Sequence, residues 1–203
     1  MPARLIAAGS RARCLDFANT LCWRGLPTPT ETLRGWHDLS VWCAGAGGAV
    51  DPQFVRWSAT RTEAAAVLFA EAIAMREVLY RVFAALSIEA RIPSQDLRAL
   101  NEAMARAPAR AGIAEFGAGY AWRVDRGVDE PGFSAPELLA PVLWSAADLL
   151  VGDERANVRQ CANEACRWLF LDASRSGSRR WCDMRSCGNR AKAQRHYHKH
   201  RGA

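Results

Sequence analysis

The sequence predicts a mainly α-helical body with one small β-hairpin, followed by a compact C-terminal unit organised by four cysteines. Three observations carry this. Apolar residues recur three and four apart, most clearly at Leu68, Ala72, Met75, Leu79, Val82 and Leu86. One stretch, 112–125, instead alternates on either side of Gly117-Ala118-Gly119. Beyond residue 157, two Cys-x4-Cys pairs, Cys161/Cys166 and Cys182/Cys187, flank a fifteen-residue insert in an arginine-rich tail.

The body begins with short helices. Cys14, Phe17, Ala18 and Leu21 fit one helix, and Leu26-Pro27-Thr28-Pro29 breaks the chain. Leu33, Trp36, Leu39, Trp42 and Cys43 return at helical spacing until Gly45-Ala46-Gly47-Gly48. Asp51-Pro52 reads as an N-cap with proline at the first helical position. The long stripe predicts a helix from about Arg61 to Glu89, stopped before Pro93. Ser94 then caps a helix with Leu97, Leu100 and Met104 inward.

Ile113–Phe116 and Tyr120–Val124 form the hairpin, and 127–132 is a loop. Ser134-Ala135-Pro136-Glu137 has capping-box form and opens an apolar helix with Leu138, Leu139, Val142, Leu143, Ala146, Leu149 and Leu150. Pro141 leaves two readings: a kink, or the first turn of a helix preceded by a separate turn. The boundaries predicted are 1–152 for the body and 157–203 for the C-terminal unit.

Charge divides the chain in the same place. The net +6 arises entirely beyond residue 150: residues 151–203 carry 12 Lys/Arg against 5 Asp/Glu, and residues 1–150 carry 15 against 16. A neutral body with a cationic arm implies an anionic partner, with DNA before RNA and membrane last. No apolar run is long enough to span a bilayer, and the first residues lack a signal peptide's apolar core. A cytoplasmic protein with reduced thiols and no membrane partner is expected.

Paired thiols on two turns suit a tetrahedral Zn²⁺ with four sulfur ligands, Cys161, Cys166, Cys182 and Cys187. Such a closed sphere is structural and has no open position for chemistry. Oxidation of these thiolates with metal release is the minor alternative. In the insert, Arg167–Asp172 has strand composition, Ser174–Ser178 is a turn, and Arg179-Arg180-Trp181 can return as a second strand. That hairpin, with a helix opening after Cys187, gives a treble-clef-like zinc finger. On the helix Lys192, Arg195 and Lys199 share one face. With Arg179, Arg180 and Arg190 they are the candidate nucleic-acid contacts, to phosphate or to guanine.

The string Cys187-Gly188-Asn189-Arg190 resembles the signature of the CGNR zinc finger family. So do Cys161-x4-Cys166, Trp168–Ser174, Arg179–Met184 and Ala191-Lys192, so that the likeness covers most of 157–198. His196, His198 and His200 are more histidines than that family's pattern leads one to expect, and read as surface residues. In that family the finger follows a helical ABATE domain, and Leu15-Asp16-Phe17-Ala18-Asn19-Thr20-Leu21 is similar to its opening motif. The resemblance implies a bacterial, stress-related, DNA-binding transcription regulator, with the helical domain as ligand sensor or dimerisation unit.

Other readings stay open here. The finger can be a protein-interaction module for an acidic partner, or an RNA binder stacking Trp168 or Trp181 on unpaired bases. No Gly-rich phosphate loop, HExxH motif or nucleophile elbow is present, so no enzyme activity is expected. Cys14, Cys22 and Cys43 read as packing thiols and His37 as structural. Trp23, Trp36, Trp42 and Trp57 are expected in the core, with a small-molecule pocket as the alternative.

Overall fold

The computed structural model describes residues 4–7, 10–45, 52–124 and 133–193. In chain order the elements are β1 (Arg4–Ile6), α1 (Arg13–Ala18), β2 (Leu21–Cys22), β3 (Thr30–Glu31), α2 (Trp36–Gly45), α3 (Pro52–Thr60), α4 (Thr62–Ser87), α5 (Ser94–Arg106), β4 (Arg110–Phe116), β5 (Gly119–Val124), α6 (Ala135–Leu138), α7 (Ala140–Val151), β6 (Val158–Gln160) and β7 (Leu169–Leu171). The mainly helical class holds, with three small antiparallel sheets among the described residues: β1-β5-β4, β2-β3 and β6-β7.

α4 is the axis of the molecule. Leu68, Ala72, Leu79 and Val82 are buried, with Met75 and Leu86 half-buried against the same core. α1, α2, α3 and α5 lean on it, and α7 closes the far side through Val142, Leu143, Ala146 and Leu149. On α5 the inner face is Asp96, Leu100 and Ala103; Leu97 points to solvent. The cause is an ion pair. Asp96 is buried and takes both arms of Arg81 at 2.7–3.1 Å, which turns the helix away from the Leu97 face. Ser94 is the first residue of α5 and not its cap, because the Asp96 and Leu97 amides donate to the Pro93 carbonyl. The Asp51 cap lies outside the described residues; α3 starts at Pro52.

Pro141 sits in the first turn of α7, where its missing N–H costs nothing. The preceding turn, α6, is separate, and Ser134 caps it by accepting from the Glu137 amide at 3.3 Å. The hairpin is extended by β1, which pairs Arg4–Ile6 with Trp122–Val124. Behind that sheet Trp144 and Ala140 pack on Val124, with Ile6 and Trp122 at the margin. Trp36 and Trp57 join Phe54 and Phe133 in an aromatic group at α3, and Trp42 packs on Phe17. Trp23 joins neither; it goes to the C-terminal unit.

That unit does not hang free. Val158 and Leu169 are buried in the same core as α4, and Leu171 packs against it. The core therefore runs continuously across residues 153–157.

Candidate zinc centre and basic surface

β6 leads into Cys161 and β7 returns behind it, so the first cysteine pair occupies the tip of a two-stranded ribbon. The register is Val158↔Leu171 and Gln160↔Leu169, and the Cys161 amide donates to the Trp168 carbonyl at 2.7 Å. Asn163 shapes the tip. Its side-chain oxygen accepts from the Ala165 amide, and its carbonyl accepts from the amides of Cys166 and Arg167. Arg167 has φ +55°, which turns the chain back toward β7. The Asn163 amide also lies 3.5 Å from the Cys187 sulfur, and so joins the two cysteine pairs.

The insert does not form the strand expected at Arg179–Trp181; β7 pairs backward with β6. Asp172 explains this. Its buried carboxylate accepts from the Ser174 amide at 2.9 Å and from the Arg179 amide at 2.8 Å, closing the loop between them. These bonds, Ser174 first, hold its carboxyl below the usual carboxylate range. Arg179 then folds inward: its guanidinium donates to the carbonyls of Trp181 and Cys182 and covers the Phe170 ring. The 179–182 backbone is thus curled around its own side chain. A single rung survives, from the Ala162 amide to the Arg180 carbonyl at 2.9 Å.

The second pair rests on a tight turn, Met184–Gly188, capped by Asp183, which accepts from the Ser186 amide at 2.8 Å. Each residue of Cys187-Gly188-Asn189-Arg190 has a distinct task. Cys187 presents its sulfur and is buried. Gly188 lies against Met184 and Trp181; a Cβ there would come within 2.8 Å of the Met184 sulfur. Asn189 donates to the Arg185 carbonyl at 3.1 Å and starts the helical stretch 189–193. The Arg190 guanidinium stands 4.7 Å from the centroid of Trp23.

The four sulfurs fit one metal ion. Thiolates about 2.3 Å from zinc at tetrahedral angles stand about 3.8 Å apart. The Cys166 and Cys182 sulfurs are 3.7 Å apart, Cys182 and Cys187 are 3.8 Å apart, and all four lie within 4.8 Å. Sulfurs this close together suit a cation between them. A hydrogen bond with Cys182 pulls the Cys166 thiol down to about 5, and the same contact pushes the Cys182 thiol far up. Thiols this close cannot all ionise unaided; a divalent ion removes the conflict. The result is one structural zinc with a filled sphere.

The body supplies the rest of the shell. Trp23, the first residue after β2, packs on Cys161, Cys166, Phe170 and Cys187 together with Trp181. The next residues touch the finger backbone: the Gly25 amide donates to the Ala165 carbonyl at 3.1 Å, and a Cβ on Gly25 would overlap the Glu164 carbonyl. Asn19 clamps β7, donating to the Leu169 carbonyl at 2.8 Å and accepting from its amide at 3.0 Å. Its own carbonyl accepts from the Trp168 indole at 3.0 Å. Cys22 is no ligand; it lines a small cavity with Cys166, Cys182 and Cys187, and its thiol donates to the Asn19 carbonyl.

An ionic ladder backs this contact. Glu31 takes both arms of Arg76 at 2.6 and 2.7 Å, Arg76 reaches Glu77 at 2.9 Å, and Glu77 takes both arms of Arg24. Arg24 covers the Tyr80 ring at 3.8 Å. The Tyr80 hydroxyl accepts from Gln160 and donates to the Arg167 carbonyl, both within the finger. Burial alone would raise the carboxyls of Glu31 and Glu77, but their arginine partners hold both below the ordinary range.

Of the six basic candidates, Arg180, Arg190 and Lys192 are exposed on the finger, with Arg180 5.5 Å from the Trp181 ring. Arg179 is exposed too, but bonds inward as above. Arg195 and Lys199 lie outside the described residues. Sequence reasoning missed Asn19, Trp23 and Gly25 as finger contacts. For Asn19 there was a signal, its place in the body's opening motif.

These features define a four-cysteine zinc finger seated on a helical body. Residues 157–200 match the CGNR zinc finger family. Residues 11–153 match the ABATE family, described as "Putative stress-induced transcription regulator". The chain belongs to the ABATE family and carries a CGNR zinc finger. No curated protein matches its sequence. No described helix is long and apolar enough to cross a membrane.

Proposed function

We propose that this protein is a cytoplasmic, non-enzymatic, stress-related transcription regulator that binds double-stranded DNA through its zinc finger. The observation that supports this most is the charge asymmetry: a near-neutral body carries a zinc-fixed unit on which Arg180, Arg190 and Lys192 are exposed. The last zinc ligand, Cys187, immediately precedes the helical stretch 189–193, so the metal fixes the start of the cationic arm. Arg195 and Lys199 follow Lys192 in the sequence and add to its positive charge. The helical body serves as sensor of a small-molecule effector or as the homodimer contact. A dimer doubles the footprint of a single small finger.

Fluorescence anisotropy on a labelled duplex across a salt series tests this. With about five cationic side chains on phosphates, log K against log salt has a slope near −4.5. Replacing Arg180, Arg190 and Lys192 by Ala should flatten the slope by about three. Salt-independent binding, or none, would overturn the reading.

A further inference from the structure

A cleft next to the zinc centre lies between body and finger, with a volume of about 670 Å³. Its walls come from four places, one of them the first knuckle, residues 162–165, with Glu164. The β2–β3 hairpin gives Trp23 and Leu26, the second knuckle gives Trp181, and the helical stretch gives Arg190. Within it the Arg190 guanidinium stands over Trp23, and Arg180 lies beside the Trp181 ring. Both indoles are only half-buried, so part of each ring faces the opening.

We propose that this cleft takes one unpaired nucleotide of a nucleic-acid strand whose flanking phosphates run along the basic arm. The proposal rests on the nucleic-acid reading above and deepens it. The chemistry is that of single-strand binders, where aromatic faces stack on bases and adjacent guanidinium groups meet phosphate. The bases of an intact duplex already have their faces covered by their neighbours, so a concave aromatic cleft cannot reach them; an extruded or unpaired base can enter. The volume falls within the range of about 300–1,000 Å³ typical of ligand pockets. Continuity with the arm selects a strand over a free nucleotide. Arg190 lines the cleft, exposed Lys192 follows two residues later, and Arg195 and Lys199 come next in the sequence.

The test uses full-length zinc-loaded protein and three probes: a fully paired duplex, the same duplex with one bulged 2-aminopurine, and the free 2-aminopurine nucleotide. Stacking is worth enough for the bulged duplex to bind on the order of 5- to 100-fold tighter than the paired one. Its 2-aminopurine emission should be quenched on binding. Trp23→Ala should abolish both the preference and the quench, and Trp23→Phe should keep most of each. Because Trp23 also covers the zinc site, Leu26→Glu is the second variant. Leu26 is exposed, so its replacement leaves the fold intact while placing a carboxylate at the cleft. It should cut bulged-duplex affinity at least about fivefold and paired-duplex affinity less than twofold.

Equal binding of bulged and paired duplexes without quenching would overturn the cleft assignment and leave duplex binding standing. Binding of the free nucleotide as tight as the bulged duplex would overturn the strand assignment. Binding of no probe would remove both this proposal and the function it rests on.

Discussion

Asn19→Ala is the substitution that probes the union of body and finger most sharply. Asn19 is 8% exposed, and its side chain meets both backbone groups of Leu169, as a neighbouring strand would. Alanine removes the partners of both the Leu169 amide and its carbonyl. A buried polar group stripped of its partner costs about 1–3 kcal/mol. The two groups share one site and partly relax together, so a loss of roughly 2–4 kcal/mol is expected. With a urea m-value of about 2–3 kcal/mol/M, the midpoint should fall by roughly 0.7–2 M. The assay is urea unfolding followed by tryptophan fluorescence, with zinc transfer to a colorimetric chelator read in parallel. Zinc transfer should also quicken, because β7 forms half of the ribbon that presents Cys161 and Cys166. Asn19→Asp should do no better, since it sets a carboxylate against the Leu169 carbonyl. A midpoint within about 0.2 M of the parent for both variants, with unchanged zinc transfer, would refute the claim that Asn19 clamps the finger.

Three further outcomes are expected. Gly25→Ala should separate the hairpin tip from the first knuckle, because the new methyl overlaps the Glu164 carbonyl; a protein with the parent's thermal midpoint and zinc transfer rate would contradict this. Cys182→Ser should abolish stoichiometric zinc and expose Val158 and Leu169 to solvent, detected by elemental analysis and by dye binding to apolar surface; full zinc retention would contradict the ligand assignment. Glu31→Gln should cost roughly 1–3 kcal/mol at neutral pH, since Arg76 is buried and loses a charged partner. The folded-state carboxyls of Glu31 and Glu77 lie below their unfolded values, so they stabilise the fold above about pH 4.5 and cease to as pH falls through the depressed values. The gap between parent and Glu31→Gln should therefore narrow on acidification, and a gap constant from pH 7 to about pH 3 would count against the ladder.

The zinc ligands were legible because their spacing is local: two residues of each pair lie on one turn, and the sequence states that directly. The α4 stripe was legible for the same reason, as was the capping box at Ser134. What escaped was set over long distances. The β6–β7 pairing depends on a buried carboxylate at Asp172 that stops 179–181 from becoming a strand. β1 is only three residues long and acquires meaning from β5, more than a hundred residues away. Leu97 has the right period for the α5 core, yet the Arg81–Asp96 pair rotates the face. Trp23 reads like any aromatic of the body until the hairpin places it on the metal centre. The loop that separates β2 from β3 looks like a proline break, and it is the surface on which the finger sits.

Zinc K-edge absorption on the purified full-length protein bears most directly on the centre of this structure. One zinc per chain with four sulfur neighbours at about 2.3 Å is the expected result. A nitrogen or oxygen neighbour in the first shell, or less than one metal per chain after purification without chelator, would contradict it.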